Sequence, residues 1–426
     1  MSQLIHTINI QTLLQYTELP SPTTRQRVMP LRPAILPKPS SLRLTNPPPY
    51  NLHSFISSTR YITIGSPAPT TTPHIPPRRT TTSRTMSIYT APKKRTPAQP
   101  RPSASVLLIS PTNQILLLHR VRTSTSFASA HVFPGGNVSE AHDGRVPEPD
   151  HKERHVDSEV YRMAAIRETF EESGILLAHD KEGKLLGVGE KEREAGRKEI
   201  HSGKVTFPEW LKKQGGVPDT GSLIPFTRWI TPPQVPKRYT TQMYVYFLPM
   251  SVPTNYKEST TDITTLPIDG EAVIPTPTHD GGVEHTAARF AAPSAWLEMA
   301  NEGKVILYPP QYFLLTMISK YLKPTWDAYS TIEMKRQRRL LEFFLKGGDP
   351  PWTEACISPV TIGGATKDGR ALLSLEKPGK EVEHLGRRGV KDYVVLLGRG
   401  KDGNPSNVEV KSRNEVADIM NKKANL

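Results

Sequence analysis

The chain has 426 residues and a formal net charge of +14, long enough to bury a large core in one enlarged domain or two. No run of about 20 apolar residues is present, so no membrane span is expected. The single cysteine, Cys356, rules out an internal disulfide framework and is read as structural. Residues 1–85 hold eight arginines, one lysine and Glu18 as their only acid, which places +8 there and leaves +6 on the rest. A modest excess of that kind suits a phosphate-rich small substrate better than nucleic acid.

Residues 1–102 mix Pro, Ser, Thr and Arg with almost no acid, as in PSPTTRQR and PPRRTTTSRT. Such a composition buries too little apolar surface to offset chain entropy. The richness in Arg and Ser resembles a mitochondrial transit peptide, with LIHTINIQTLLQY as its short amphipathic part. The competing reading is a disordered extension, or a start codon set too far upstream, since Met86 stands just before the globular region.

Regular structure is expected from Ser103. SASVLLIS and QILLLHR flank Pro111-Thr112-Asn113 and read as a strand hairpin. A strand over residues 130–133 then leads into Pro134-Gly135-Gly136, a turn whose backbone can approach a ligand because no Cβ intervenes. In the following AHDGRVPEPDHKERH, the residues His142, His151, His155, Asp143 and Asp150 fit no tight metal-binding spacing. That stretch is read as a solvated loop.

EVYRMAAIRETFEESGI reads as a helix, with Asp157 or Ser158 at its start and Gly174 supplying the left-handed residue that ends it. At 100° per residue, Val160, Met163, Ile166 and Phe170 share one side, and Glu168, Glu171 and Glu172 share the other. Carboxylates three and four residues apart repel by a few tenths of a kcal/mol per pair, roughly, and a hard divalent cation would reverse that. By themselves they fit a charged surface helix better, since solvated acidic faces are common.

The neighbouring residues separate the two readings. Glu159, Arg167-Glu168, Glu171-Glu172 and Gly174-Ile175 reproduce the second half of the Nudix box, E-x7-RE-U-x-EE-x-G-U, and Pro134-Gly135-Gly136 resembles the turn that opens it. Thr169 replaces the aliphatic residue of the pattern. The spacing also departs: the family places five residues between glycine and glutamate, and here residues 137–158 intervene between Gly136 and Glu159. An insertion there, followed closely by RETFEESGILL, resembles the branch of the Nudix family that hydrolyses coenzyme A and acyl-coenzyme A.

Beyond the box, residues 181–216 are strongly charged and read as a surface excursion with a short helix near 190–199. In FTRWITPPQVPKRYTTQMYVYFLPM, residues 239–248 read as a strand, and RWITP with PKRYTTQ resembles a segment of the same coenzyme A branch. Lys237 and Arg238 precede that strand, where they could meet phosphate oxygens or act as edge-strand gatekeepers. TAARFAAP and SAWLEMANEGKV read as strand then helix. Two further helices follow, the first with Tyr312, Leu315, Ile318 and Leu322 at core spacing. Glu284 is a candidate for an additional acid, and beyond Gly347 the chain reads as a polar tail with one strand at 393–397. It closes on NKKANL, which resembles a relaxed form of the tripeptide address read by the peroxisomal import receptor.

The resemblance implies an α/β (α+β) sandwich: a mixed sheet between helices with a loop-helix-loop catalytic element and a C-terminal helical extension. The chain then divides into an extension at 1–102, a Nudix domain at 103–346 with insertions at 137–158, 181–220 and 251–282, and a C-terminal extension at 347–426. The implied reaction is hydrolysis of a nucleoside diphosphate linked to a second moiety, with Mg²⁺ or Mn²⁺ as cofactor. Coenzyme A would give adenosine 3',5'-bisphosphate and a phosphopantetheine. Glu168, Glu171 and Glu172 are the implied metal ligands, with Glu159 nearby as ligand or support, and Arg167 orients them. Gly135, Gly136, Lys237 and Arg238 are the candidate substrate contacts. ADP-ribose, a dinucleotide or a capped RNA end are alternative substrates, and a non-catalytic binding module is the alternative class. The expected locations are the peroxisome or the mitochondrion.

Overall fold

The computed structural model describes residues 97–121, 127–250, 273–274, 285–324, 331–363 and 365–416. The candidate transit segment, Glu284 and the terminal NKKANL lie outside them.

The strands are β1 (Arg101–Ile109), β2 (Ile115–Arg120), β3 (His131–Val132), β4 (Gly135–Asn137), β5 (Ala178–His179), β6 (Val217–Pro218), β7 (Ile224–Ile230), β8 (Tyr239–Phe247), β9 (Val273–Ile274), β10 (His285–Ala291), β11 (Cys356–Ile357), β12 (Val360–Thr361), β13 (Ala371–Leu375), β14 (Val390–Arg399) and β15 (Pro405–Ser412). The helices are α1 (Glu140–Asp143), α2 (Glu159–Ser173), α3 (Glu190–His201), α4 (Phe207–Lys213), α5 (Pro293–Asn301), α6 (Pro309–Ser319) and α7 (Thr331–Lys346). Among the described residues, no helix is long and apolar enough to cross a membrane.

The main sheet runs β11-β7-β8-β1-β2-β10-β9, with β3 on β2 and β4 on β1. It is mixed, as expected: β1 runs antiparallel to β2 and β4 but parallel to β8. Strand β1 is apolar on both faces because both are covered. Ala104, Val106 and Leu108 pack with α2, α3 and α4, whereas Leu107 and Ile109 pack with α5, α6 and α7. The α6 residues Tyr312, Leu315 and Ile318, with Leu322 just beyond it, are buried together on the second side, as their spacing predicts.

The hairpin turn is held from a distance. Arg338 of α7 donates to Ser110 O (2.6 Å), Leu248 O (2.8 Å) and Asn113 Oδ1 (2.8 Å), and Asn113 adopts a left-handed φ of 61°.

Three parts of the chain differ from the sequence reading. The excursion after the box is folded onto α2: Trp210 stacks on Phe170 at 4.7 Å, and Gly196 leaves room that a Cβ, 2.3 Å from the indole, would fill. The residues beyond Gly347 form five strands rather than one. β11 extends the main sheet beside β7, and β12–β15 form a second, antiparallel sheet whose Leu375, Val390, Val395 and Val408 join the α6 core. The stretch after Asn137 is not a solvated loop either. It contains α1 and a 3-10 turn (Lys152–His155), and it buries Asp143 and His155.

Candidate active site

Helix α2 begins at Ser158, whose side chain makes no capping bond. Asp157 turns instead to Arg162 at 2.5 Å and to the Tyr244 hydroxyl at 2.5 Å. The helix ends as the sequence requires, with Gly174 at φ 76° and its N–H on Phe170 O. The buried apolar residues are Tyr161, Ala164, Ala165, Ile166 and Phe170, joined by Arg167, Thr169 and Ser173, while Val160 and Met163 are only half-buried. A helix enclosed by the sheet, α3 and α4 hides more than one stripe, which shifts the buried set away from the simple amphipathic count.

Three carboxylates gather on the guanidinium of Arg167. Its Nε and Nη2 each donate to Asp143 at 2.8 Å, its Nη1 lies 2.8 Å from Glu171 and 2.9 Å from Glu168, and Nη2 also donates to Asn137 O at 2.9 Å. Burial works against the Arg167 charge, yet the bond to Asp143 and the charges of Glu168, Asp143 and Glu171 hold its pKa above the ordinary arginine value. The fourth acid is fixed by the glycine turn. Gly135 N donates to Glu172 Oε2 at 2.8 Å, and Gly135 has a φ of 152° with Ser105 packed where a Cβ would stand. A Cβ on Gly136 would lie 2.5 Å from the Glu168 carboxyl carbon. Gly135 is therefore glycine because of its φ and the strand β1 packed against it, and Gly136 because the Glu168 carboxylate occupies the space a side chain would need.

This group carries four acids against one arginine. Burial, offset in part by Arg167 and reinforced by Glu171 and Asp143, pushes Glu168 up to about 7. Beside Glu172, His285 of β10 places its Nε2 3.7 Å from Oε1. Burial, with Arg120 and His119, lowers His285 to about 3, so it is neutral and adds no positive charge at neutral pH. The excess of hard oxygen donors fits a divalent cation in its chemistry. In the arrangement present, however, no three His, Cys, Asp or Glu side chains among the described residues converge on one ion position, because Arg167 holds Glu168 and Glu171 while Gly135 holds Glu172.

The structure brings together Gly135, Gly136, Arg167, Glu168, Glu171 and Glu172. It does not bring in Glu159, which lies exposed at the first position of α2, nine residues and about 13 Å of helix from Glu168 on the opposite face. Its place beside Arg167 is taken by Asp143. Six residues separate Gly136 from Asp143, close to the five of the family spacing, and that proximity was the signal available in the sequence. The extra residues therefore fall between Asp143 and α2.

Lys237 and Arg238 stand apart as well. In register, Gly136 pairs with Ala104 and Ala104 with Gln242, so Lys237 lies five residues, about 16 Å along the strand, from the glycine row. Arg238 is buried, donates to Thr231 O and Ala98 O at 2.9 Å, and pairs with Glu381 at 2.6 Å. It ties β8 to the C-terminal segment and has no face toward the carboxylates. Cys356 is buried with Sγ on Pro378 O, and burial pushes its thiol up to about 11, the environment of a packing residue.

Residues 146–268 match the family model of the NUDT19 Nudix domain. That stretch is similar to a Nudix domain. A putative nudix hydrolase 7 of Caenorhabditis elegans is 26% identical over 228 residues, 53% of this chain, and the chain spans 62% of that relative's length. Among solved structures, a NUDIX hydrolase from Alicyclobacillus acidocaldarius is 21% identical with a TM-score of 0.37, covering 51% of this chain and 90% of its own. A MutT protein from Methanosarcina mazei Go1 is 14% identical with a TM-score of 0.21, covering 57% and 96%. The matched segment includes α2 with all its carboxylates and begins after Asp143 and the glycine turn.

Proposed function

We propose that this chain hydrolyses a nucleoside diphosphate linked to a second moiety, and that the substrate is coenzyme A or an acyl-coenzyme A, cleaved to adenosine 3',5'-bisphosphate and a phosphopantetheine. The observation that carries the reaction is the set of Glu168, Glu171 and Glu172 held by Arg167 and by the Gly135 N–H. Glu168, Glu171 and Glu172 would hold Mg²⁺ or Mn²⁺, which when bound neutralises the diphosphate and lowers the pKa of a water. Arg167 keeps two of the carboxylates on one side of α2, and Asp143 keeps Arg167 in place. The Gly135 N–H orients Glu172, and the absence of a side chain on Gly136 lets Glu168 lie flat against the turn. The coenzyme A assignment is supported by RETFEESGILL, RWITP and PKRYTTQ, which resemble that branch of the family.

The full chain assayed with Mg²⁺ on coenzyme A, an acyl-coenzyme A, ADP-ribose and NADH, with products identified by mass, tests both levels. Release of adenosine 3',5'-bisphosphate that disappears in Glu172→Gln is the expected result. Turnover confined to ADP-ribose or NADH would overturn the substrate and keep the reaction; no turnover of any of the four would overturn both.

A further inference from the structure

On the same sheet face as α2, but away from the carboxylates, a second charged cluster has the opposite sign. Gly136, Ala104, Gln242 and Arg228 form one row across β4, β1, β8 and β7, which puts Arg228 about 14 Å from the glycine turn at the usual strand spacing. Its guanidinium lies over the Tyr161 ring at 4.4 Å and is 1% exposed as a residue. Nη1 donates to Thr240 Oγ1 at 3.2 Å and Nη2 to Val156 O at 3.1 Å. The same Thr240 hydroxyl contacts His155 Nδ1 at 3.0 Å, so the buried arginine and the buried histidine share one neutral group.

Two further segments close on this point. The Tyr161 hydroxyl donates to Arg154 O, which fixes the turn carrying Arg154 and His155. From the C-terminal segment, Cys356 pairs with Arg228, and its N–H donates to Arg388 O at 2.9 Å, which holds Arg387 and the nearby His384 against the same edge. Arg387 is half-buried, with Nη2 on Glu354 O at 2.7 Å. The Nε atoms of Arg228 and of Arg387 are buried without a hydrogen-bond partner.

Among the described residues, none of Arg154, His155, Arg228, His384 and Arg387 is ion-paired with a carboxylate. Glu381 is engaged through one oxygen by Arg238, and Glu354 gives Arg387 its backbone oxygen as hydrogen-bond acceptor while its carboxylate acts only at longer range. His155 lies in electrostatic range of Arg228, Arg154, Arg387 and His384, and Arg387 in range of Arg228; cations grouped in this way, with buried donors unsatisfied, are unfavourable unless an anion completes them. Guanidinium forks favour a tetrahedral oxyanion with two charges over a single halide.

We propose that the seam between residues 144–158 and residues 381–388 binds a phosphate or a phosphomonoester, with Arg154, Arg387 and His384 at its mouth and Arg228 behind them. The site is separate from the carboxylates of α2 and needs no divalent cation. Bound there, the anion joins the segment after Asp143 to the C-terminal segment.

Thermal unfolding of the full chain in EDTA, at constant ionic strength, is followed across a titration with inorganic phosphate and, in parallel, with adenosine 3',5'-bisphosphate. The expected result is a saturable rise in Tm. Arg154→Gln and Arg387→Gln each weaken apparent binding by about tenfold, the loss of one charge-assisted contact, whereas Arg387→Lys keeps most of the response. A response at lower concentration of the bisphosphate assigns the group to a nucleotide; an equal response assigns it to free phosphate. No rise in the unmodified chain, or an equal rise in the Arg154→Gln/Arg387→Gln double variant, overturns the site. Because EDTA removes any divalent cation, these readings are independent of the hydrolytic assay.

Discussion

Arg167 and Asp143 meet through two hydrogen bonds of 2.8 Å across 24 residues of chain. Both side chains are almost wholly buried, and the pair anchors α1 to the middle of α2. Asp143 also accepts from Ser139 N at 2.8 Å. The carboxylate therefore sets both the path of the chain after the glycine turn and the direction of the arginine that holds Glu168 and Glu171.

Removing Asp143 should leave a buried guanidinium short of one partner, a change that typically costs several kcal/mol and is eased here by Glu168 and Glu171. Asp143→Ala is expected to lower stability by about 2–3 kcal/mol in urea unfolding and to reduce kcat by at least about tenfold. Glu159→Gln, on the exposed opposite face, should change neither by a measurable amount. Equal losses in the two variants would remove Asp143 from its assigned place.

Gly136→Ala separates folding from chemistry. Its new Cβ would meet the end of the Glu168 side chain, 2.5 Å away, and no backbone atom is among the nearest contacts. Glu168 can swing aside at small cost to the fold, but it then leaves the Arg167 group. The expected outcome is a Tm within a few degrees of the unmodified protein, roughly 1 kcal/mol, with most hydrolytic activity lost. Full activity in the alanine variant would show that Glu168 does not need this position.

His155 predicts an acid-sensitive stability. Burial first, then Arg228, Arg154, Arg387 and His384, lower its pKa to about 4 from 6.5. A folded-state value below the unfolded one means that the stability is fully present above pH 6.5 and is lost as the pH falls toward 4. At about 1.4 kcal/mol per unit the ceiling is about 3 kcal/mol. Chemical unfolding at pH 7.5 and at pH 5 should show a larger drop for the unmodified protein than for His155→Gln; parallel drops would assign the acid sensitivity elsewhere.

Arg338 lies on the other side of the sheet and should affect stability without touching the site. Arg338→Leu leaves Ser110 O, Leu248 O and Asn113 Oδ1 without the donor they share, at a cost of about 1–3 kcal/mol for each group left fully unsatisfied. The urea midpoint should fall clearly while kcat per folded molecule stays unchanged. A fall in kcat alone would contradict the separation of the two faces.

Several features were legible because they depend on near neighbours. The Pro111-Thr112-Asn113 turn, the apolar runs of β1 and β2, the left-handed Gly174 and the acidic face of α2 all follow from spacings of a few residues. Tyr312, Leu315, Ile318 and Leu322 were legible as core by the same periodicity. The charge-rich stretch at 190–216 was harder, since Ile200, Phe207, Trp210 and Leu211 are spread among lysines and glutamates and reveal their common face only against Phe170. Strands β11 and β12 have two residues each, too few to show a period, and β11 pairs with β7 from far up the chain.

The sequence by itself determined the candidate helix and its acidic face: Arg167, Glu168, Glu171 and Glu172 lie within two turns, where helical geometry alone sets which of them share a face. It also placed a glycine turn before them. Only the tertiary structure decided that Asp143 rather than Glu159 joins Arg167, that Arg238 is taken up by Glu381, and that Arg228, Arg154 and Arg387 meet. Those outcomes depend on strand register and loop closure over 20 to 230 residues, roughly, and such contacts are selected by burial and charge pairing in three dimensions.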